Sequence, residues 1–334
     1  MSRGRFRVIA PAITLMVMVS VLALLLYFPG GLAHHPQASA QASVQTTPKV
    51  RTYYIAADEV PWDYAPSGKN EITGEPFDDV ANVFVKNGPD RIGHVYRKAQ
   101  YREYTDATFE HLKPRPADEE YLGILGPVIR AQVGDTIKVI FKNNTSFPAN
   151  LHPHGVSYKK DSEGSPYDDG TSGSEKSDDA VAPGKTHTYT WKVPERTGPG
   201  PMDPSTILWM YHSHVDEPAD TNSGLIGPMI IGRRGSMNPD GTFKGIDHEV
   251  ITLFTVFDEN SSHYLDYNIQ HYAGDPASVN PDDEEFGESN LMHSINGYVY
   301  GNMPMPKMKK GDHARWYTMG MGTEVDLHTP HWHG

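Results

Sequence analysis

An all-β fold made of two tandem Greek-key β-sandwiches is predicted by three features of this chain. Its 27 prolines and 31 glycines divide 334 residues into many short apolar stretches, a pattern that suits strands and turns and leaves little room for long helices. That length is enough for roughly two domains with separate cores. The chain also repeats itself. Gly134-Asp135 precedes a strand-like run and then His152-x-His154-Gly155, and Gly311-Asp312 precedes another and then His331-x-His333-Gly334. The first histidine follows the glycine by 18 positions in one copy and 20 in the other. Tandem copies of one sandwich account for this.

Taken in order, residues 1–50 read as an export signal and linker. Arg3, Arg5 and Arg7 precede an uncharged run from Val8 to Phe28, and Ala38-Ser39-Ala40 offers a cleavage site. The run is long enough to span a bilayer, so an uncleaved N-terminal anchor is the alternative, and membrane attachment is expected only in that case. In both cases the remainder is exported. The first domain is expected over 51–235, with strands at Arg51–Ala56, Thr136–Phe141, Thr186–Trp191 and Pro228–Ile231. Arg234–Gly241 reads as the inter-domain connection. A second domain over 245–334 begins with a strand near His248–Phe254.

A net charge of −13 excludes nucleic acid as a partner, since a phosphate backbone needs a basic surface, and is compatible with drawing in cations. The absence of cysteine excludes disulfides, thiolate zinc sites and cysteine nucleophiles within these residues. What remains for chemistry is histidine. Three His-x-His pairs occur: His152 with His154, His212 with His214, and His331 with His333. Alternate side chains of a strand share a face, which lets each pair grip metal together. Among 17 histidines about one such pair would arise by chance. Imidazole suits copper, and equally zinc or nickel.

Longer stretches carry a family resemblance: Val95-Tyr-Arg-Lys98, Tyr104-Thr-Asp-Ala-Thr-Phe109, Leu122-Gly-Ile-Leu-Gly-Pro127, Ser223-Gly-Leu-Ile-Gly-Pro228, Phe257-Asp-Glu-Asn260 and Met319-Gly-Met-Gly322. With the histidine pairs, they resemble the multicopper oxidases, in particular their ceruloplasmin-like cupredoxin domains. The resemblance implies one-electron oxidation of a reductant coupled to reduction of dioxygen to water. It assigns His152 and His331 to a type 2 copper, His154, His212, His214 and His333 to a type 3 pair, and His328 to a blue type 1 copper. It also implies a His-Cys-His motif followed by His and Met, which the chain does not contain. The second sandwich is therefore expected to lack its final strands, and these residues alone are expected to be inactive. Ser213 stands at the cysteine position of the first domain and Ala149 where the counterpart of His328 would be. The first domain should thus hold no blue copper, as in two-domain laccase-like oxidases, whose clusters form between subunits of a homotrimer.

Two further ligand sets follow from the same resemblance. Glu288 and His293 match a segment that helps bind ferrous iron, making Fe(II) or another metal ion the expected reductant, with a phenol as the alternative. Lys160 and Glu175, through their carbonyls, and Asp178 and Asp179, through their carboxylates, match a calcium loop. Met303, Met305 and Met308 are expected to pack rather than bind copper. His94, His111, His187, His248, His263, His271 and His313 are expected at the surface or in hydrogen bonds. The competing functions are a non-catalytic binding or scaffold protein on the same fold, and a copper-binding protein without turnover.

Overall fold

The apolar alternation of the sequence becomes two facing four-stranded sheets and one three-stranded sheet. The computed structural model describes residues 47–321 and Pro330; the leader and His328, His331 and His333 lie outside the described residues. The described strands are β1 (Val50–Asp63), β2 (Val95–Glu103), β3 (Ile129–Gln132), β4 (Thr136–Asn143), β5 (His152–Pro153), β6 (Thr186–Lys192), β7 (Thr206–His212), β8 (Ile226–Gly232), β9 (His248–Asp258), β10 (Leu291–Ile295) and β11 (Ala314–Met321). They form sheets in the orders β2-β1-β4-β6, β3-β8-β7-β5 and β10-β9-β11. Each expected strand is present, and the fold is all-β, with only short helices such as α1 (Asp79–Val85), α2 (Glu217–Ser223), α3 (Leu265–Tyr272) and α4 (Glu284–Ser289).

Period-two burial shows how the first two sheets make a sandwich. In β4, Ile137, Val139 and Phe141 are buried, and in β6 Tyr189 and Trp191 are, while their neighbours point outward. These side chains share a core with Ile129, Ala131, Tyr211, Met229 and Ile231 of the other sheet. Strand β8 is buried along its whole length because both of its faces are covered. Met229 and Ile231 point into the sandwich, and Ile226 and Ile230 point into a second core with Val250, Leu253 and Tyr317. A strand flanked by apolar layers on both sides reads as a continuous apolar run, as Ile226–Gly232 does.

The repeated Gly-Asp pair makes the same turn twice. Gly134 has φ +99° and Gly311 φ +100°, in the left-handed region that favours glycine. In each turn the aspartate carboxylate accepts the N–H three residues back, from Gln132 at 3.3 Å and from Lys309 at 2.6 Å. Strand β4 then runs parallel to β1, and β11 runs parallel to β9. With β2 and β10 antiparallel on the other side, β10-β9-β11 repeats β2-β1-β4.

The connection between β8 and β9 is packed. Met237 and Phe243 pair across it and are buried, and Gln132 Oε1 accepts the N–H groups of Gly235 and Met237. Met237, within Arg234–Gly241, and Phe243, just beyond it, are thereby covered by the core.

A buried ion pair ties β2 to the turn after β9. Lys98 and Glu259 have no exposed surface and contact each other directly. The ammonium also donates to the Asn222 carbonyl at 2.7 Å and lies 4.5 Å from the Phe257 ring centre. Burial lowers the pKa of Lys98 and raises that of Glu259, with the partner's charge opposing each shift. Removing one partner leaves an uncompensated buried charge. Lys98→Met should therefore destabilise the fold by about 3–5 kcal/mol in urea unfolding, and Lys98→Met with Glu259→Leu should recover most of that loss. Equal stability of the single variant and the parent would contradict this.

Candidate metal centre

Strand β5 is two residues long, and its pairing with β7 places His152 opposite His212. One further bond to β7, from the His154 N–H to the Met210 carbonyl at 2.9 Å, follows before Gly155 turns the chain at φ +76°. The turn is clamped from β7. A Cβ on Gly155 would lie 2.3 Å from the Trp209 ring, Trp209 Nε1 donates to the Thr197 carbonyl at 2.9 Å, and Thr197 Oγ1 donates to the Gly155 carbonyl at 2.8 Å. Both described His-x-His pairs thus lie where a strand ends, so simple strand alternation does not explain their convergence. His154 is on the turn, and His214 follows the end of β7.

Four imidazoles nevertheless face one another. The ring of His152 is 5.3 Å from that of His154, 5.7 Å from that of His212 and 5.0 Å from that of His214. His212 is 5.1 Å from His154 and 5.5 Å from His214, and the Nε2 atoms of His154 and His212 are 2.9 Å apart. The Nδ1 atoms of His152 and His212 point at the carbonyls of Glu163 (2.7 Å) and Ser213 (2.9 Å). A carbonyl only accepts, so each Nδ1 carries the proton and Nε2 is the bare nitrogen. His154 then supplies the single proton in its bond to His212, and a cation replacing that proton would meet two lone pairs. Two nitrogens each about 2 Å from one ion stand roughly 3 Å apart, close to the spacing seen.

Burial pulls the His212 imidazole down to about 4, with its histidine neighbours adding to the effect. His152 is lowered for the same reason. Both are therefore neutral at pH 7, as metal ligation requires. A set of four imidazoles suits copper, zinc or nickel better than a hard cation, and the Glu217 carboxylate lies 3.4 Å from His214 Nε2.

Two residues that sequence reading misses hold this arrangement. Asn150 is fully buried. Its N–H donates to Ser213 Oγ, its Oδ1 accepts the His214 N–H at 2.8 Å, its Nδ2 donates to the Asp179 carbonyl at 2.6 Å, and its carbonyl accepts the Tyr101 hydroxyl. Asp220 Oδ2 accepts Ser213 Oγ at 2.6 Å and the N–H groups of Val215 and Asp216, while its Oδ1 meets His263 Nε2 at 2.8 Å. Ser213, at the position expected to lack cysteine, is a buried link in this network.

The acidic loop beside the imidazoles is more than the four residues expected there. Lys160 turns its ammonium inward, 2.9 Å from Asp179 and 3.4 Å from both Glu163 and Asp169. Lys176 joins Asp169 and Asp179 from the other side. Glu163 and Asp169 therefore belong to the same cluster. Asp178 is fully buried; its Oδ2 accepts the Gly164 N–H at 2.7 Å, whereas its Oδ1 and Asp169 Oδ2 accept no hydrogen bond. Burial raises Asp178, while bonds from Thr171 hold Asp169 well below the usual carboxylate range. The Lys160 carbonyl accepts the Glu163 N–H at 3.3 Å, and Glu175 is exposed on the neighbouring turn.

Glu288 is exposed at the end of α4, and His293 is exposed on β10 with its ring 5.8 Å from that of Phe84. Among the described residues no three His, Asp or Glu side chains already surround one point as ligands. The other histidines behave as expected: His94 bonds Asp63, His187 the Asp161 carbonyl, His248 Asp312, and His271 the Tyr267 carbonyl. Met303 packs against the core, but Met305 and Met308 are exposed, correcting the expectation that all three pack.

Residues 122–236 match a family model described as Multicopper oxidase. The protein "Ferroxidase HEPHL1" of Homo sapiens is 48% identical over 287 residues, 85% of this chain and 24% of that protein. "Hephaestin" of Mus musculus is 47% identical over 296 residues, 87% of this chain and 25% of that protein. "Ceruloplasmin" of Rattus norvegicus is 48% identical over 283 residues, 84% of this chain and 26% of that protein. The chain spans about a quarter of the length of these curated relatives.

Gly155→Ala should separate the first His-x-His pair from the second, because its Cβ meets the Trp209 ring and its φ disfavours any side chain. The expected result is a loss of at least about 1–2 kcal/mol of stability together with weaker metal binding, read by thermal unfolding and metal titration. A variant that binds metal as the parent does would contradict the clamp.

Proposed function

With its domain at residues 122–236 the chain belongs to the multicopper oxidase family, and from that premise we propose that it contributes a trinuclear copper site to an oxidase that reduces dioxygen to water. The observation that carries this reading is the facing set of His152, His154, His212 and His214, with two Nδ1 protons committed to carbonyls. In this reading His152 and His331 hold the type 2 copper. His154, His212, His214 and His333 share the type 3 pair, and His328 serves a type 1 copper. Bound copper supplies the one-electron redox chemistry that imidazole and carboxylate groups lack.

The chain's own residues prepare the site. Glu163 and Ser213 fix two ring orientations through their carbonyls, so that the Nε2 lone pairs point inward. Asp220 and Asn150 hold the segment 212–214, and the Trp209 clamp holds the turn 152–155. Reduction of dioxygen to two waters consumes four electrons and four protons. The electrons come from the reductant.

By analogy with the relative whose printed name is ferroxidase, the proposed reductant is Fe(II), met by Glu288 and His293, with a phenol as the alternative. Both residues are exposed and, among the described residues, neither is tied up in an ion pair, which suits a substrate metal that must arrive and leave. The loop around Asp178 and Asp179 is proposed to hold calcium, supported by two buried carboxylate oxygens that accept no hydrogen bond. A homotrimer that joins the first domain of one subunit to the second domain of the next is part of the same reading. So is export directed by residues 1–40, with or without retention as an anchor. The described residues contain no helix long and apolar enough to cross a membrane.

Equilibrium dialysis against copper should load this chain, and His154→Ala with His212→Ala should lower the copper retained per chain. In the protein that carries this chain, oxygen consumption with Fe(II) should fall about a hundredfold in that double variant. Full copper retention by the variant would remove the assignment. For the reductant, Glu288→Ala with His293→Ala should lower kcat/KM for Fe(II) by about tenfold while leaving a phenol unaffected. Unchanged Fe(II) turnover would leave the phenol reading standing.

A further inference from the structure

The imidazole set and the carboxylate loop are separate in chemistry but share backbone. Three short routes of hydrogen bonds join them. Glu163, whose carboxylate lies 3.4 Å from the Lys160 ammonium, gives its carbonyl to His152 Nδ1. Asp179, another partner of Lys160, gives its carbonyl to Asn150 Nδ2, and Asn150 Oδ1 receives the His214 N–H. Asp178 gives its carbonyl to the Tyr189 hydroxyl, which in turn accepts the N–H of Leu151, the residue before His152. Gly164 closes the seam: its N–H bonds Asp178, and a Cβ there would lie 2.4 Å from the Leu151 carbonyl.

Resting on the copper and calcium assignments above, we propose that the two sites are thermodynamically linked, so that a divalent cation in the 160–179 loop raises the affinity of the imidazole set for copper. The physical basis is the cost of ordering. Glu163, Asp169, Asp178 and Asp179 repel one another, and two lysine ammonium groups offset them only in part, since two buried carboxylate oxygens accept no hydrogen bond. A cation that gathers these oxygens holds the Glu163 and Asp179 carbonyls in place, and with them the His152 ring and the His214 backbone. Copper binding then bears less of the ordering cost. The effect is reciprocal, because a coupling free energy belongs to both ligands.

The test is a chelator-competition titration of the wild-type chain with copper, in calcium-free buffer and in saturating CaCl2, with MgCl2 at equal concentration as the control for ionic strength. Calcium should tighten copper binding about fivefold or more, and copper should tighten calcium binding by the same factor in isothermal titration calorimetry. Asn150→Asp keeps an acceptor for the His214 N–H but sets a carboxylate oxygen against the Asp179 carbonyl. It should reduce the linkage while calcium still binds. In the metal-free protein, adding calcium alone should shift the His152 Nδ1 resonance, a readout that needs no copper. Equal copper affinity in both buffers, or failure of calcium to bind, overturns the linkage and leaves the oxidase reading intact. Failure of the wild-type chain to bind copper in either buffer removes the oxidase reading and the linkage with it.

Discussion

The pairing of His152 with His212 across β5 and β7 lasts two residues, and the positions of all four described imidazoles follow from it. The His154 N–H still bonds the Met210 carbonyl of β7, and the turn at Gly155 follows at once, with the His154 ring brought against that of His212. So short a pairing does not hold itself. Trp209 and Thr197 secure it from one side, and Asn150 and Asp220 from the other. Behind them stands a sandwich whose central strand β8 is buried on both faces, giving β7 a rigid neighbour.

The interior beside the site carries an unusual share of polar groups. Asn150, Ser213 and Asp220 have no exposed surface. Each would cost about 1–3 kcal/mol if left unpaired, and each is paired several times over. Such a network contributes little net stability compared with an apolar core, but it permits few alternative arrangements. The same logic applies to Lys98 and Glu259, which tie β2 to the turn after β9. A fold stabilised only by its apolar layers would tolerate small slips between strands. A site that needs nitrogen atoms placed to a fraction of an ångström cannot.

Much of this was legible from residues alone. Thr136–Phe141 and Thr186–Trp191 read as strands and are strands, and the Gly-Asp repeat marked two turns that share a left-handed glycine. The histidine spacing singled out four imidazoles that the fold brings face to face. What the sequence hid was contact at a distance. Nothing near Asn150 signals that it joins three segments, and Glu163 and Asp169 look like ordinary loop acids until Lys160 is seen to draw them in. The segment Arg234–Gly241 has the composition of a connection, and nothing in it signals that Met237 pairs with Phe243 or that Gln132 holds its backbone. Composition reports what a segment can do, whereas its neighbours decide what it does.

The central claim, that four histidines from two motifs form one copper-binding set, can be tested most directly by nuclear magnetic resonance. Protein labelled with nitrogen-15 in histidine, titrated with diamagnetic Cu(I), reports each imidazole nitrogen separately. The account predicts shifts at the Nε2 atoms of His152 and His212 and at the rings of His154 and His214, with His94, His187, His248 and His271 unmoved. Shifts confined to those other histidines, or none at the four, would contradict it.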